Sequence, residues 1–194
     1  MRHLIYFSNS AVTSGNALAQ RDLMQAGRMD IAIHSFIQGV FLSHDFRKDV
    51  KFHFIFYGMP DPPKHIEIQV TDELEISKKD VGNLIKKILY KYREGQKYEV
   101  LPGCFIEKKS LLKVIEELQN DGKEIFILDK GGESIRKAKI SDESVFVLGD
   151  HDGLPPKELK RLKSMVKSVT LGDKTYFASH AVTIVNNELD TRGK

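Results

Sequence analysis

The sequence predicts an α/β fold, a mostly parallel sheet flanked by helices. Three observations predict it. Short apolar runs rich in β-branched and aromatic residues alternate with amphipathic helical stretches, the alternation quickens over the last third, and each late run ends in a glycine-bearing loop. At 194 residues the chain suits one large domain with a full core.

Leu4 to Ser8 reads as a first strand, and Asn9 to Arg28, rich in Ser, Asn, Gly and Gln, as a loop. A helix follows, with Asp30 near its N-terminus and Ile33, Phe36, Ile37, Val40 and Phe41 at helical spacing. Lys51 to Tyr57 alternates polar and apolar as a strand does, 58–63 is a Gly/Pro-rich turn, and Ile66 to Val70 is a short strand. Val81, Leu84, Ile85, Ile88, Leu89 and Tyr92 form a helical stripe, backed by lysines that read as a solvated face. Leu111, Leu112, Ile115 and Leu118 mark another helix, closed by Asp121-Gly122. Then come strand Glu124 to Asp129 before a Gly-Gly loop, strand Val145 to Leu148, and a helix opening near Pro155-Pro156. Strand Ser168 to Leu171 and a helix from about Thr175 to Leu189 complete the chain.

Composition narrows the function classes. Hydrophobic residues make up 41% and charged residues 29%, as in an ordinary globular protein, and no run approaches the roughly 20 apolar residues of a membrane span. The N-terminus runs straight into a strand pattern, unlike a signal peptide. Cys104 is the only cysteine, which excludes an internal disulfide and a cysteine zinc cluster, reads as a small buried hydrophobe, and predicts a reducing, cytoplasmic setting. A net charge of +3 is a mild basic excess, compatible with nucleic acid. Neither a P-loop nor a G-x-G-x-x-G dinucleotide fingerprint occurs.

In parallel sheets ligands sit beyond the carboxyl ends of the strands, so the loops at Asp129, Gly149 and Gly172 nominate one cleft. The loop Gly149-Asp150-His151-Asp152-Gly153 has two readings: a site for a hard metal or a proton shuttle, or a turn that caps the next helix. Asp30 and His34, one helical turn apart, are an acid–base pair or a solvated face. Arg21, Asp22 and Arg28 suit phosphate contacts with one carboxylate among them, and His180 reads as a structural histidine.

Two regions carry a family resemblance. One is the C-terminal run from Val145-Phe-Val-Leu-Gly-Asp-His-Asp-Gly through Val169-Thr-Leu-Gly-Asp-Lys-Thr-Tyr to Asn186-Asn-Glu-Leu-Asp190. The other is the N-terminal set Ala26-Gly-Arg-Met-Asp30, Phe41-Leu-Ser-His44 and Arg47-Lys-Asp-Val50. Together they resemble the knotted SPOUT methyltransferases, and more narrowly the archaeal tRNA pseudouridine N1-methyltransferase family, which acts on a T-arm pseudouridine at position 54. The resemblance implies a single domain over 1–194, a trefoil knot and donor site within about 124–190, a homodimer, and a tRNA substrate. It implies S-adenosylmethionine, bound bent among the knot loops, and no metal. Carried over residue by residue, the donor site takes Leu128, Gly149, Leu171, Gly172, Asp173, Lys174, Thr175, Tyr176 and Ala181. Relatives often have Cys where this chain has Ala181, which points to packing or donor contact there.

Pseudouridine is joined to ribose through carbon, so its N1 keeps a hydrogen and is open to alkylation. The enzyme must hold the reacting atoms at about 3–3.5 Å and drain that proton. Asp22 and Asp30 are the candidate carboxylates, with Arg28, and less directly Arg21, for RNA phosphate or a base oxygen. Three other readings compete: an rRNA pseudouridine N1-methyltransferase on a related knotted fold, a metal-dependent phosphohydrolase using Asp150, His151 and Asp152, and a non-catalytic RNA-binding module.

Overall fold

Strand β1 (Arg2–Ser8) is buried along its whole length, which only an interior strand of a sheet covered on both faces achieves. In the computed structural model, which describes residues 1–194, it lies between β2 (Val50–Phe56) and β7 (Ser144–Gly149), parallel to both. β7 continues to β6 (Glu124–Ser134) and β6 to β8 (Lys167–Thr170), again parallel. On the other side β3 (Lys64–Gln69), β5 (Cys104–Glu107) and β4 (Tyr98–Leu101) add antiparallel strands, giving one eight-stranded sheet in the order β4-β5-β3-β2-β1-β7-β6-β8.

Helices cover both faces. Leu4, Tyr6, Phe52, Phe54, Phe126 and Phe146 face one core, under α2 (Met29–Val40), α3 (Val81–Tyr90) and α6 (Ala178–Thr191), with the short α1 (Gly15–Ala19) beside α3. The alternate residues Ile5, Phe7, Ile55, Ile125, Val145 and Val147 face a second core under α4 (Leu111–Asn120) and α5 (Pro156–Lys163). Each fully buried Phe or Ile contributes roughly 1.5–3 kcal/mol of hydrophobic free energy, so near-continuous apolar strands fit a sheet with no wet face.

Several sequence expectations change. The 9–28 stretch is not all loop: Ser14 caps α1, its side chain accepting a hydrogen bond from the Ala17 N–H. The hairpin β4–β5 went unforeseen, because its positions are only half-buried on β4 and pattern weakly; Cys104 itself is buried in β5, as expected. β3 begins at Lys64, before Ile66. β6 does not stop at Asp129 but runs through Gly131-Gly132 to Ser134. Gly132 permits this, since a Cβ there would sit 2.5 Å from the backbone of Ser168 and Val169 on β8. α6 starts at Ala178 rather than Thr175 and reaches Thr191. The expected Pro-initiated helix is α5, with Pro156 in its first turn.

Candidate functional site

The parallel strands β6, β7 and β8 end together, and their loops enclose a cleft of about 170 Å³. Its apolar lining comes from Leu128 and Leu148 at the strand ends, Leu171 after β8, Tyr176, and Ala178 and Ala181 at the start of α6. Gly149, Gly153, Thr170, Gly172, Lys174 and Thr175 complete the wall with backbone and small polar groups. Of the residues expected at a donor site, all but Asp173 line this cleft. Asp129 and Lys130 also line it; the sequence put the loop at Asp129 beside the cleft but named neither residue as a donor contact. The Asp129 carboxylate receives Lys163 Nζ at 2.7 Å and the Gly131 N–H at 3.0 Å, both on Oδ2.

The loop after β7 folds as a closed turn. The Gly153 N–H donates to the Asp150 carbonyl at 3.0 Å, and Gly149 must lack a Cβ because one would lie 2.4 Å from the Gly153 carbonyl carbon. Asp150 is buried; its Oδ2 accepts from Ser8 Oγ at 2.6 Å and its Oδ1 from the Asp152 N–H at 2.9 Å. Ser8 Oγ in turn accepts the Ala11 N–H at 3.0 Å. Asp150 thus ties the ends of β7 and β1 together; the loop is a turn, but no side chain of it caps α5, whose N-terminus at Pro155 has no side-chain cap. His151 and Asp152 are exposed beside it.

Across Tyr6 from this turn stands the N-terminus of α2. Tyr6 pairs in register with Leu148 of the cleft. Its hydroxyl is buried without a hydrogen-bond partner, and burial, followed by the charges of Asp150 and Asp30, pushes its pKa up. Arg28 adopts the left-handed region at φ 59° and reaches forward to Asp30 through two hydrogen bonds of 3.0 Å. These bonds are the main cause that holds the Asp30 carboxyl below its usual range, so Asp30 is a persistent anion and a weak proton acceptor. His34 is exposed and Asp30 pairs with Arg28 instead, so the Asp30–His34 acid–base reading is set aside. Asp22 Oδ1 accepts the N–H groups of Met24 and Gln25 at 2.9 Å each, which makes it the cap of the turn leading to α2. Arg21 is exposed nearby.

All 194 residues match a family model described as "Putative SAM-dependent RNA methyltransferase". The chain belongs to this family. The methyltransferase is similar to curated proteins named tRNA (pseudouridine(54)-N(1))-methyltransferase. That of Methanocella arvoryzae is 36% identical, over 99% of this chain and 100% of its own. That of Methanococcoides burtonii is 33% identical, over 98% and 96%. Among solved structures, Archaeoglobus fulgidus Nep1 bound to S-adenosylhomocysteine shares the fold with a TM-score of 0.65 at 12% identity, covering 100% of this chain and 99% of that one. The methyltransferase therefore uses S-adenosylmethionine on RNA, and no helix in it is long and apolar enough to cross a membrane.

A second polar cluster of the methyltransferase lies well apart from this cleft. His3, His53, His65 and Glu107 form a chain of 2.9 Å contacts across β1, β2, β3 and β5. Burial above all lowers the pKa of His53 far below that of free imidazole and that of His3 to about 4. Burial would raise the Glu107 carboxyl, but the bonds from His65 and Lys109 outweigh it and bring it to about 2. The one sequence signal was His53 within the alternating strand, and His65-x-Glu67 after it, both at period-2 positions.

Proposed function

We propose that this methyltransferase transfers the methyl group of S-adenosylmethionine to N1 of pseudouridine 54 in the tRNA T-arm. The observation that carries this reading is similarity over nearly the full length to relatives bearing that name. The strand-end cleft is the proposed donor seat. Its leucines suit an adenine ring, the loop backbone from Gly149, Leu171, Gly172, Lys174 and Thr175 suits the adenine edge and amino-acid end, and Asp129 Oδ1 remains open for a ribose hydroxyl. Ala181 contributes packing, and Asp173 stands just outside the lining. The bound donor supplies an electrophilic methyl on sulfur. The chain's own part is to hold the base in line with the donor while the N1 proton is lost to solvent, a loss that a neighbouring cation favours and a neighbouring anion opposes.

Arg28 is the proposed RNA contact, with Arg21 beside it. Asp30 fixes the Arg28 guanidinium, and Asp22 shapes the turn that presents it. We place the N1 proton on solvent rather than on Asp30, because a carboxylate held this acidic by Arg28 gains little by taking it. The whole chain acts as one domain, with a trefoil knot and donor seat within about 124–190. The knot is the family's; β6 accommodates it with a register shift in which Leu128 and later Glu133 both pair with Val169 of β8, leaving 129–132 bulged out of the ladder. We propose a homodimer working in the cytoplasm, supported by Phe177 and Tyr176 standing 70% and 41% exposed where α6 begins. Light scattering should give twice the 22.1 kDa of one chain; a monomer mass would end that part.

The deciding experiment uses labelled donor with two RNAs, a T-arm hairpin carrying pseudouridine 54 and a small-subunit rRNA hairpin carrying pseudouridine. We expect N1-methylpseudouridine by mass spectrometry on the first only, undiminished by chelator. Methylation of the rRNA hairpin alone would favour the rRNA reading, and turnover abolished by chelator would return attention to Asp150, His151 and Asp152.

A further inference from the structure

On the sheet face that carries α4, strands β1, β2, β3 and β5 present a row of buried polar side chains that methyl transfer does not use. His53 on β2 directly opposes Glu67 on β3, and His65 is two residues from Glu67 on the same strand, so all three share one face. His53 and His65 are 1% and 3% exposed, and the Glu67 side chain 12%. His53 Nδ1 lies 2.9 Å from His65 Nε2 and 4.0 Å from Glu67 Oε2, and the donor atoms of all three fall within 4.8 Å of one another. Over them opens a cavity of about 490 Å³, bounded by α4 and by Lys51, Lys97 and Lys123.

We propose that His53 Nδ1, His65 Nε2 and the Glu67 carboxylate form a binding site for a divalent transition metal of the zinc or cobalt class. The donor set, two imidazoles and a carboxylate, is one that such ions favour over calcium or magnesium. Three protein ligands leave further coordination positions, and the cavity provides room for water there. The outer partners are already in place. His65 donates Nδ1–H to the Glu107 carboxylate at 2.9 Å, which leaves Nε2 as a lone pair and raises its basicity. Glu107 is itself held by Lys109 at 2.8 Å. The outer nitrogen of His53, Nε2, contacts His3 Nδ1 at 2.9 Å, so that ring is also oriented from behind.

The proton balance is definite. With Glu107 anionic, the bonds run one way: His65 accepts at Nε2 the proton carried by His53 Nδ1, and His53 accepts at Nε2 that of His3 Nδ1. A metal ion takes the place of the His53 Nδ1 proton, which leaves to solvent. His3 passes its Nδ1 proton to His53 Nε2 and takes one from solvent at its own Nε2 on the cavity side. No net proton is released, and both rings exchange tautomer. A metal bonded at about 2.0–2.1 Å to each nitrogen in tetrahedral geometry holds the two nitrogens about 3.3 Å apart with both lone pairs converging on it. The rings now stand nearly head to head, 5.2 Å between centroids, so each must swing by about 35° as well as part by a few tenths of an ångström. Glu67 must turn from Lys51 at 3.2 Å and Lys97 at 3.0 Å, whose ammonium groups have the cavity water to receive them.

The test is to titrate the metal-free full-length chain with Co²⁺ and follow its visible absorption, with S-adenosylmethionine binding measured alongside as the check on folding. We expect one Co²⁺ per chain with the bands of a nitrogen- and oxygen-ligated site, displaced by Zn²⁺, and affinity at least tenfold weaker in His65→Asn, Glu67→Gln and the outer-partner variant Glu107→Gln. His151→Ala should leave Co²⁺ binding unchanged. If His65→Asn fails to fold, Glu67→Gln and Glu107→Gln decide. Absence of Co²⁺ binding at millimolar metal overturns the proposal and leaves the row as a self-satisfied hydrogen-bond chain. So does binding that Glu67→Gln and Glu107→Gln leave untouched, or that His151→Ala removes. The first two results leave the methyl-transfer reading untouched, since it rests on a different cleft, whereas binding removed by His151→Ala would move the metal to the loop beside that cleft.

Discussion

Arg28 alone among the non-glycine residues has a positive φ, 59°, and it spends its guanidinium on Asp30. A side chain held in a sparsely populated backbone region, beside an unpaired buried phenol, marks this turn as a place where the chain gives up local comfort for position. Replacing Arg28 by Ala should lower turnover on RNA at least tenfold while leaving donor affinity within twofold; calorimetry with the donor and single-turnover kinetics separate the two. Because Asp30 is held below the usual carboxylate range, its charge persists through neutrality. The pH–rate profile between pH 6 and 9 should therefore carry no limb that Asp30→Asn removes. Glu107 gives a second pH statement. Its folded-state pKa of about 2 lies below the unfolded value, so the stability it contributes is complete above about pH 4.3 and is lost as pH falls toward 2. Thermal melts across that window should fall more steeply for the parent than for Glu107→Gln.

Elements meet at positions where one residue decides the join. α4 begins at Ser110, whose side chain accepts from the Lys113 N–H. Ser110→Ala should cost about 1 kcal/mol in denaturant unfolding, with methyl transfer unchanged, since α4 covers the face away from the cleft. The join of β6 to β8 is less forgiving. Gly132→Ala would set a Cβ 2.5 Å from the Ser168–Val169 backbone, and backbone in a ladder cannot step aside. The strands should part at their second meeting, and with them Leu128 and Leu171 of the cleft lining. Donor binding is expected to weaken at least tenfold, and unchanged binding would show that the cleft does not depend on that crossing.

Across the whole molecule the first and last elements are locked together. Arg2, 5% exposed at the start of β1, reaches Asn186 and Asp190 on α6, Asp49 before β2, and the Lys194 carbonyl. Arg47 grips the same Asp190 at 2.8 Å. These bonds hold α6, whose first turn lines the cleft, against β1 and the segment that follows α2, and Asn186 Nδ2 donates to the Gly39 carbonyl of α2 itself at 3.0 Å. Arg2→Met should cost about 3 kcal/mol, at the lower end for a broken buried pair because Asp49 and Asp190 can rehydrate. It should also loosen donor binding through α6, which protection of α6 amides in hydrogen exchange would report.

The sequence by itself determined the fold class, the parallel strands and the strand-end loops, because period-2 and period-3.6 patterns and strand-terminating glycines are local and survive in one dimension. It also carried the family, since the C-terminal run from Val145 to Asp190 is contiguous enough to resemble its relatives. Only the tertiary structure decided what depends on register. It placed β7 between β1 and β6, which brought Ser8 to Asp150, and it gathered Leu128, Gly149 and Leu171 around one cleft. It turned Asp30 from a partner of His34 into the anchor of Arg28. It lined up His3, His53, His65 and Glu107, which no local pattern connects, because strand pairing sets which side chains become neighbours and a one-residue slip would send each to the opposite face.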